Sequence, residues 1–571
     1  MKRIFSYLRP YSLGIALGLS IKFFGTIMDL VLPWILSYMI DSVVPLRSVP
    51  KILLWGGIML LASITALVAN IIANRMAASV TRDTLRRIRH DLFEKITSLS
   101  SKQIDEISIP SLVSRLTSDT YNIHQLIGMM QRIGIRAPIL LLGGIIITLT
   151  LDPVLTLVLL SIIPFITIAV YIISKRGIPL YTRLQKSVDS MVRVVRENIT
   201  GIRVIKALSK TDYEKARFHK ANEEVVDSEK RAGINMATSS PLMNLFLNVG
   251  LVLVIITGAY RVNNGLSTPG KIIAFLSYFT IILNAMLIIT RIFVVMSKGF
   301  ASGNRITEIL ELKEDMNIEE IPKVQEDYHI VFDGVSFSYN NNEDNLTDIN
   351  FKIKKGETLG IIGPTGSGKT TIIQLLMRFY DVNKGSIRIN GRDIRSIPWE
   401  ILHTMFGVVL QNDILFRDTI GENISFGRNL TEEQLKDSIK HAQAEEFISS
   451  IDEGFNYRVA SKGANLSGGQ KQRLLIARAL ANSPEILILD DSSSALDYKT
   501  DASLRASLRD NFKETTSIII AQRVSSIMHA DHIIVLEDGN ILASGTHEEL
   551  MSSSDIYKEI SRMQLGGEIN G

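Results

Sequence analysis

The sequence contains no cysteine. Disulfide scaffolds, thiolate metal centres and cysteine nucleophiles are excluded. The compartment is left open, since a membrane protein can simply lack the residue. A strong charge of one sign is missing as well: 62 basic against 58 acidic residues leave a net charge of +4. Nucleic-acid binding gets no support from that balance. The 46% hydrophobic content excludes general disorder. What is present is 571 residues, enough for several domains. A mean hydropathy of +0.20 is too apolar for an ordinary soluble enzyme and too polar for a chain lying wholly in lipid. One membrane-embedded half and one soluble half resolve this.

The change comes near residue 300. Before it, six apolar stretches are long enough, at about 20 residues each, to cross a bilayer. They are Tyr11–Val43, Ile52–Ala78, Leu126–Leu151, Val154–Ser174, Pro241–Tyr260 and Ile272–Met296. The first is too long for a signal-peptide core, has no small-residue cleavage site after it, and reads as retained. Arg132 and Arg136 leave the entry to the third open. The links Ser79–Gln125 and Lys175–Ser240 are long, polar and helix-patterned; the other three are short. Basic residues such as Lys2, Arg3, Arg9, Arg82, Arg86, Arg87 and Arg89 place the N-terminus and the long links in the cytoplasm. The expected domains are a six-span domain over 1–300, a linker over 301–328, a nucleotide-binding domain over 329–565 and a flexible tail over 566–571. The small, polar segment Gln564–Gly571 reads as mobile.

Ionisable groups inside a bilayer are costly and usually face protein or water. Lys22 and Asp29 lie about two helical turns apart on one face of the first span. They read either as polar contacts in a translocation cavity or as a structural ion pair. Arg132, Arg136, Asn284 and Arg291 pose the same alternative. Met129, Met130, Met243 and Met286 suit either an adaptable binding surface or ordinary packing.

In the second half, Val331 to Tyr339 alternates like a strand, and Phe351–Ile353 and Thr358–Ile362 read as further strands. Next come Gly363-Pro364-Thr365-Gly366-Ser367-Gly368-Lys369-Thr370 and an apolar helix from Thr371 to Met377. This is GxxxxGK[ST] in a strand–loop–helix setting. Glycines let successive backbone N–H groups turn toward phosphate oxygens, and the helix N-terminus adds its dipole. Lys369 reaches the β/γ-phosphates and Thr370 offers a hydroxyl to Mg²⁺. The apolar run Ile486–Leu489 fits a buried parallel strand. It ends in Asp490, whose carboxylate suits the Mg²⁺ side of a P-loop NTPase.

Between these lies Leu466-Ser467-Gly468-Gly469-Gln470, followed by the helix Lys471–Leu480. Here the chain resembles the ABC transporter ATPases, whose signature is LSGGQ. Six spans followed by one nucleotide-binding domain resemble a half-size ABC exporter of the type I fold. That resemblance implies an all-α six-helix membrane domain followed by an α/β P-loop NTPase domain. It implies ATP and Mg²⁺ as cofactors, a cytoplasmic membrane and export of an amphiphilic drug, lipid or peptide by alternating access. A second half-transporter subunit and the bilayer are the implied partners, with no nucleic acid. Tyr339 matches the aromatic residue that stacks on adenine. Gln411 matches the glutamine that senses Mg²⁺ and contacts the membrane half. Ser494-Ala495-Leu496-Asp497 matches the D-loop. Segments near Pro110–Thr120 and Lys210–Phe218 match the two coupling helices.

The chain departs from this family at two catalytic positions. The residue after the Walker B aspartate, usually glutamate, is Asp491, one methylene shorter. The switch histidine is replaced by Gln522, an amide that bonds but carries no proton. The stretch Tyr457–Gly463 also lacks the usual glutamate. The pattern resembles the degenerate subunit of a heterodimeric exporter. Its own Walker site would be slow or inactive, while Leu466, Ser467, Gly468, Gly469 and Gln470 complete a competent site on a partner. A homodimer with two working sites is the alternative. A nucleotide-gated channel or regulatory membrane protein would share every motif, and would show ATP-dependent passive conductance. The half-transporter form and the lack of a targeting sequence point to a prokaryotic plasma membrane.

Overall fold

The computed structural model describes residues 1–565 apart from 314, 341, 342, 493 and 494, and only the backbone at 170, 239, 240, 290, 291 and 565. Two compact units emerge: Met1–Ser98 with Pro110–Leu312, and Leu99–Ile109 with the chain from Lys313 onward.

The first unit is all helical. Six segments are long and apolar enough to cross a membrane: Lys2–Leu46, Val49–Thr97, Ile109–Leu151, Pro153–Thr200, Thr211–Asn263 and Pro269–Leu310. They exceed the apolar stretches because the helices continue through the polar links. Val49–Thr97 is one helix of 49 residues, roughly 74 Å at 1.5 Å per residue, against a hydrocarbon core of about 30 Å. The last helix likewise passes residue 300 and ends at Leu310, so the linker expected from 301 begins only after it. The reason is packing: Ile306, Ile309 and Leu310 keep a buried stripe going at helical spacing. The third span breaks where the sequence left its entry open. Helix Thr120–Met129 passes into a wide π-turn at Met130–Gly134, which carries Arg132, before helix Arg136–Leu151.

Carboxylates pin the short links. Asp152 caps helix Pro153–Thr200 through the N–H groups of Val154 and Leu155 at 3.0 and 3.3 Å, and takes Arg261 Nε at 3.1 Å. Asp41 accepts from the Thr268 hydroxyl at 2.6 Å and the Gly270 N–H at 2.7 Å. A Cβ on Gly270 would lie 2.5 Å from the Ser37 carbonyl, so only glycine fits there. Leu155, Leu159, Val254, Phe275, Phe279 and Ile282 form the buried helix–helix core.

The second unit is α/β. Strands β1 (Ile330–Phe337), β2 (Leu346–Ile353), β4 (Lys384–Ile389) and β5 (Arg392–Asp393) form an antiparallel sheet in the order β2-β1-β4-β5. Strands β3 (Thr358–Ile362), β6 (Phe406–Val409), β7 (Ile486–Asp490), β8 (Thr516–Ile520), β9 (His532–Glu537) and β10 (Asn540–Gly545) form the second sheet, in the order β10-β9-β3-β8-β7-β6. All its pairs are parallel except β9 with β10. The run Ile486–Leu489 is buried throughout, because a central parallel strand is covered on both faces. The C-terminal ends of β3, β7 and β8 thereby meet at one edge, where open α/β sheets bind ligands.

Helix Ser101–Ile107 belongs to this second unit. Ser100 and Gln103 form a capping box that starts it. Ser100 donates to Asp315 at 2.9 Å, Gln103 to the Lys313 carbonyl at 2.8 Å, and the Tyr380 hydroxyl to Asp105. The coupling segment expected near Pro110–Thr120 is therefore corrected: the docked helix lies earlier in the chain. Arg115 and Asp119 are instead held inside the first unit, by Glu308 at 2.9 Å and Arg305 at 2.8 Å. The other expected segment, Lys210–Phe218, opens the helix Thr211–Ala237 and is largely exposed.

Candidate nucleotide site

The loop between β3 and helix Lys369–Leu376 is shaped by glycines that cannot be replaced. Gly366 and Gly368 have φ of +89° and +100°. A Cβ on Gly363 would stand 2.0 Å from the Leu536 carbonyl oxygen, and one on Gly368 2.6 Å from Leu346 Cδ2. Lys369 Nζ donates to the carbonyls of Gly363 at 3.0 Å and Pro364 at 2.7 Å, so it lies folded across its own loop. Burial holds its ammonium below the ordinary lysine value, against the opposing charges of Asp490 and Asp491.

Thr365, Gly366, Gly368, Lys369, Thr370 and Thr371 line one pocket of about 190 Å³ with Gln411, Asp490, Asp491 and Gln522. Ser367, 2% exposed, lies behind the loop. Asp490 ends β7 at 2% exposure and accepts from the Thr370 hydroxyl at 3.1 Å. Burial pushes its carboxyl above the usual range, and the neighbouring Asp491 adds to the rise. A buried carboxylate beside a hydroxyl is a hard-oxygen set that fits Mg²⁺. Gln411, just beyond β6, adds a third polar group at the pocket wall.

The two departures from the family touch each other. Gln522 Nε2 donates to Asp491 Oδ2 at 3.3 Å. Register explains why: β7 and β8 are parallel neighbours pairing Asp490 with Ile520, so the residues just past each strand end face the same edge. Asp491 sits at φ +51°, a left-handed conformation that aspartate tolerates, held by its N–H on the Ile520 carbonyl at 3.0 Å. Burial raises its carboxyl too, opposed by Arg523 and Lys369.

Leu466–Gln470 lies away from this pocket. Ser467 caps helix Gly468–Leu480 in a capping box with Gln470, at 3.3 and 2.9 Å. Ser467 and Gly468 are exposed. Ala495 closes beneath them, its carbonyl 3.3 Å from any Cβ placed on Gly469. Leu496 is buried and Asp497 caps helix Tyr498–Asn511 through the Thr500 N–H at 3.0 Å. Ser494 lies outside the described residues.

Residues 15–286 match the family model for the ABC transporter transmembrane region and residues 346–494 the family model described as ABC transporter. A Bacillus subtilis ABC transporter ATP-binding protein is 34% identical over 100% of this chain and 99% of its own length. The chain belongs to the ABC transporters. A Legionella pneumophila ATP-dependent lipid A-core flippase is 29% identical, covering 100% of this chain and 97% of the flippase. The solved structure of a bacterial Atm1-family ABC exporter with ATP bound superposes with a TM-score of 0.81 at 22% identity, covering 99% of both chains.

The all-α span domain followed by an α/β ATPase domain is thus the half-size exporter architecture. This ABC transporter is a multi-pass cell-membrane protein with its ATPase domain in the cytoplasm. It binds and hydrolyses ATP in coupling to transport, and it acts as a dimer.

Several residues of the transporter's ATP site were not visible in the motifs. The Tyr339 hydroxyl donates to Thr371 at 3.2 Å and to Gln374. Asn345 lines the pocket and receives the Tyr339 N–H at 3.1 Å. The Tyr339 ring meets Tyr380 edge-on at 5.1 Å. Gln564 receives the Val524 N–H and donates to the Gln522 carbonyl, both at 2.7 Å. It belongs to helix Asp555–Leu565. The mobile segment expected from Gln564 is corrected there; residues 566–571 lie outside the described residues.

Among the membrane residues, Lys22 Nζ donates to Asn74 at 3.0 Å and Arg136 to Asp29 at 2.9 Å. Asn70 reaches Asp29 at 3.4 Å. Arg132 Nε binds the Gly128 carbonyl at 3.0 Å. No described contact joins Asn284 to this group; it is exposed on helix Pro269–Leu310. The Arg291 side chain lies outside the described residues. Met243 and Met286 pack against the helix core.

Proposed function

We propose that the chain is one subunit of a heterodimeric exporter that moves an amphiphilic substrate out across the cytoplasmic membrane. Its own Walker site binds ATP with Mg²⁺ held by Thr370, Asp490 and Gln411, and hydrolyses it slowly. Its signature residues complete the competent site on a partner subunit. The observation that carries this is the Gln522–Asp491 hydrogen bond. The short carboxylate is engaged by an amide at the position where the family has a histidine. Such a pair orients each other rather than an attacking water, and the geometry of a general base decides its rate. Lys22, Asp29, Arg132 and Arg136, with Asn284 and Arg291, are the residues assigned to the transport cavity.

ATP must bind the closed dimer more tightly than the open one to shift its population. The test is Mg-ATP hydrolysis by this chain purified alone in lipid, with its oligomeric state measured alongside. Little hydrolysis, or no stable dimer, supports an obligate heterodimer. Brisk turnover by a stable homodimer would show that Asp491 and Gln522 suffice, and would end the degenerate-site reading.

A further inference from the structure

A polar cluster in the first unit, half-buried apart from the fully buried Lys22, holds more positive charge than it can neutralise. Lys22 is 3% exposed, and its hydrogen-bond partner is the neutral Asn74. Arg136 meets Asp29, yet its Nε is buried with no partner among the described residues, on a side chain otherwise 42% exposed. Arg132 holds only the Gly128 carbonyl of the preceding helix among the described contacts. Asn70 bridges to Asp29 while its Oδ1 is buried and unpaired. Lys22 lies within electrostatic reach of Arg132, Arg136 and Asp29 together. Among the described residues, three cations thus share one carboxylate.

The location matters as much as the charge. Counted from Val43 at 1.5 Å per residue, Asp29 lies roughly 21 Å and Lys22 roughly 32 Å inward. With a hydrocarbon core of about 30 Å and a cytoplasmic N-terminus, Asp29 falls in the inner half of the membrane and Lys22 at its cytoplasmic edge. Unbalanced cations there are costly and mark a pathway or a ligand. Guanidinium groups suit phosphate or carboxylate through paired N–H donors.

We propose that Lys22, Arg132 and Arg136 bind the anionic head group of an amphiphile taken from the inner leaflet, with Asp29 as the competing internal anion that the head group displaces from Arg136. The role in transport rests on the export reading above; the binding does not.

The probe is radiolabelled dodecyl phosphate, titrated onto the full chain in phosphatidylcholine nanodiscs, with empty discs as blank. Saturable binding is expected. Arg136→Gln and Arg132→Gln should each weaken it about tenfold, with Arg136→Lys intermediate. Asp29→Asn should tighten it severalfold, a gain that loss of a structural ion pair would not produce. Binding no greater than in empty discs, or equal displacement by dodecyltrimethylammonium, overturns the proposal. So does an Asp29→Asn variant as weak as Arg136→Gln. Displacement by inorganic phosphate at the same concentration overturns the amphiphile and assigns a free anion. Transport by the assembled protein in proteoliposomes is a separate readout. ATP-driven movement of a cationic amphiphile without dodecyl phosphate binding sinks this proposal and leaves export standing. Dodecyl phosphate binding with no ATP-driven movement of any amphiphile upholds the site and sinks export.

Discussion

Two faces of the same ATPase domain have been treated differently. The signature face keeps Ser467, Gly468 and Gly469 on an exposed, box-capped helix start with Ala495 packed beneath. The Walker face keeps its loop and Asp490 but carries Asp491 and Gln522 bonded to each other at its catalytic edge. The nucleotide-binding motifs are present on both faces, and two positions at the catalytic edge of one face depart from the family pattern. A composite site draws one face from each subunit. In the heterodimer proposed above, one altered edge would weaken one of two sites and leave this chain able to serve the other.

The largest test breaks that asymmetry from the intact side. Ser467→Arg puts bulk and charge at the exposed cap. It should cut hydrolysis by the assembled transporter by about a hundredfold, the scale of losing a key transition-state donor. Lys369→Ala should abolish ATP binding at this chain's own site; on the proposed reading, in which that site supplies little hydrolysis, total turnover should fall by no more than about threefold. Equal losses from both variants would mean both sites work. Thermal unfolding checks that the lost cap, worth about 1 kcal/mol, has not unfolded the domain.

Next in size is repair of the altered edge. Asp491→Glu with Gln522→His should raise single-turnover hydrolysis at this site by at least about tenfold, within the range of general-base catalysis. The measurement needs the partner's own Walker site disabled. An unchanged rate would place the defect elsewhere, for instance in the stretch Tyr457–Gly463.

A third test separates binding from folding. Asp490 has its carboxyl raised by burial, so the nucleotide-free fold holds that proton more tightly than the unfolded chain does. Stability attributable to Asp490 is therefore present below the unfolded carboxyl value near 4 and is lost as pH rises through the higher folded value. Asp490→Asn should remove this dependence. If neutralising the buried charge is worth about 1 kcal/mol, the melting temperature at neutral pH rises by roughly 2–4 °C. The same variant should lose Mg²⁺-dependent tightening of ATP binding. A lower melting temperature would show that the Thr370 hydrogen bond outweighs burial.

How much of this was legible in sequence follows from where each constraint lies along the chain. Gly363, Gly368 and Asp490 were readable because backbone conformation, close approach and strand burial all act within one strand–loop–helix unit. The fold class followed from apolar run length and the change of pattern near residue 300. Helix ends were less readable: Val49–Thr97 and Pro269–Leu310 outrun their apolar stretches because buried stripes and cytoplasmic packing extend them. Gln564 on Gln522 and Asp105 on Tyr380 had no local signal at all. The two partners stand 42 and 275 residues apart, and only tertiary folding brings them together.

The smallest expected effect concerns that last contact. Tyr380 touches both sides: its ring packs edge-on against Tyr339 and its hydroxyl donates to Asp105 on helix Ser101–Ile107. Tyr380→Phe keeps the ring and removes the hydrogen bond. A hydrogen bond to a charged group is worth roughly 1.5–3 kcal/mol, and less where water can replace it. ATP affinity should therefore move less than about twofold, while amide exchange over residues 101–107 speeds up severalfold, because a seven-residue helix depends on its tertiary anchors. Ser100 and Gln103 still hold the N-terminal end, so the helix should loosen from Asp105 toward Ile107 and not from its start. Exchange that speeds up uniformly, or not at all, would mean that Asp105 is an incidental partner and that the capping box alone positions the helix.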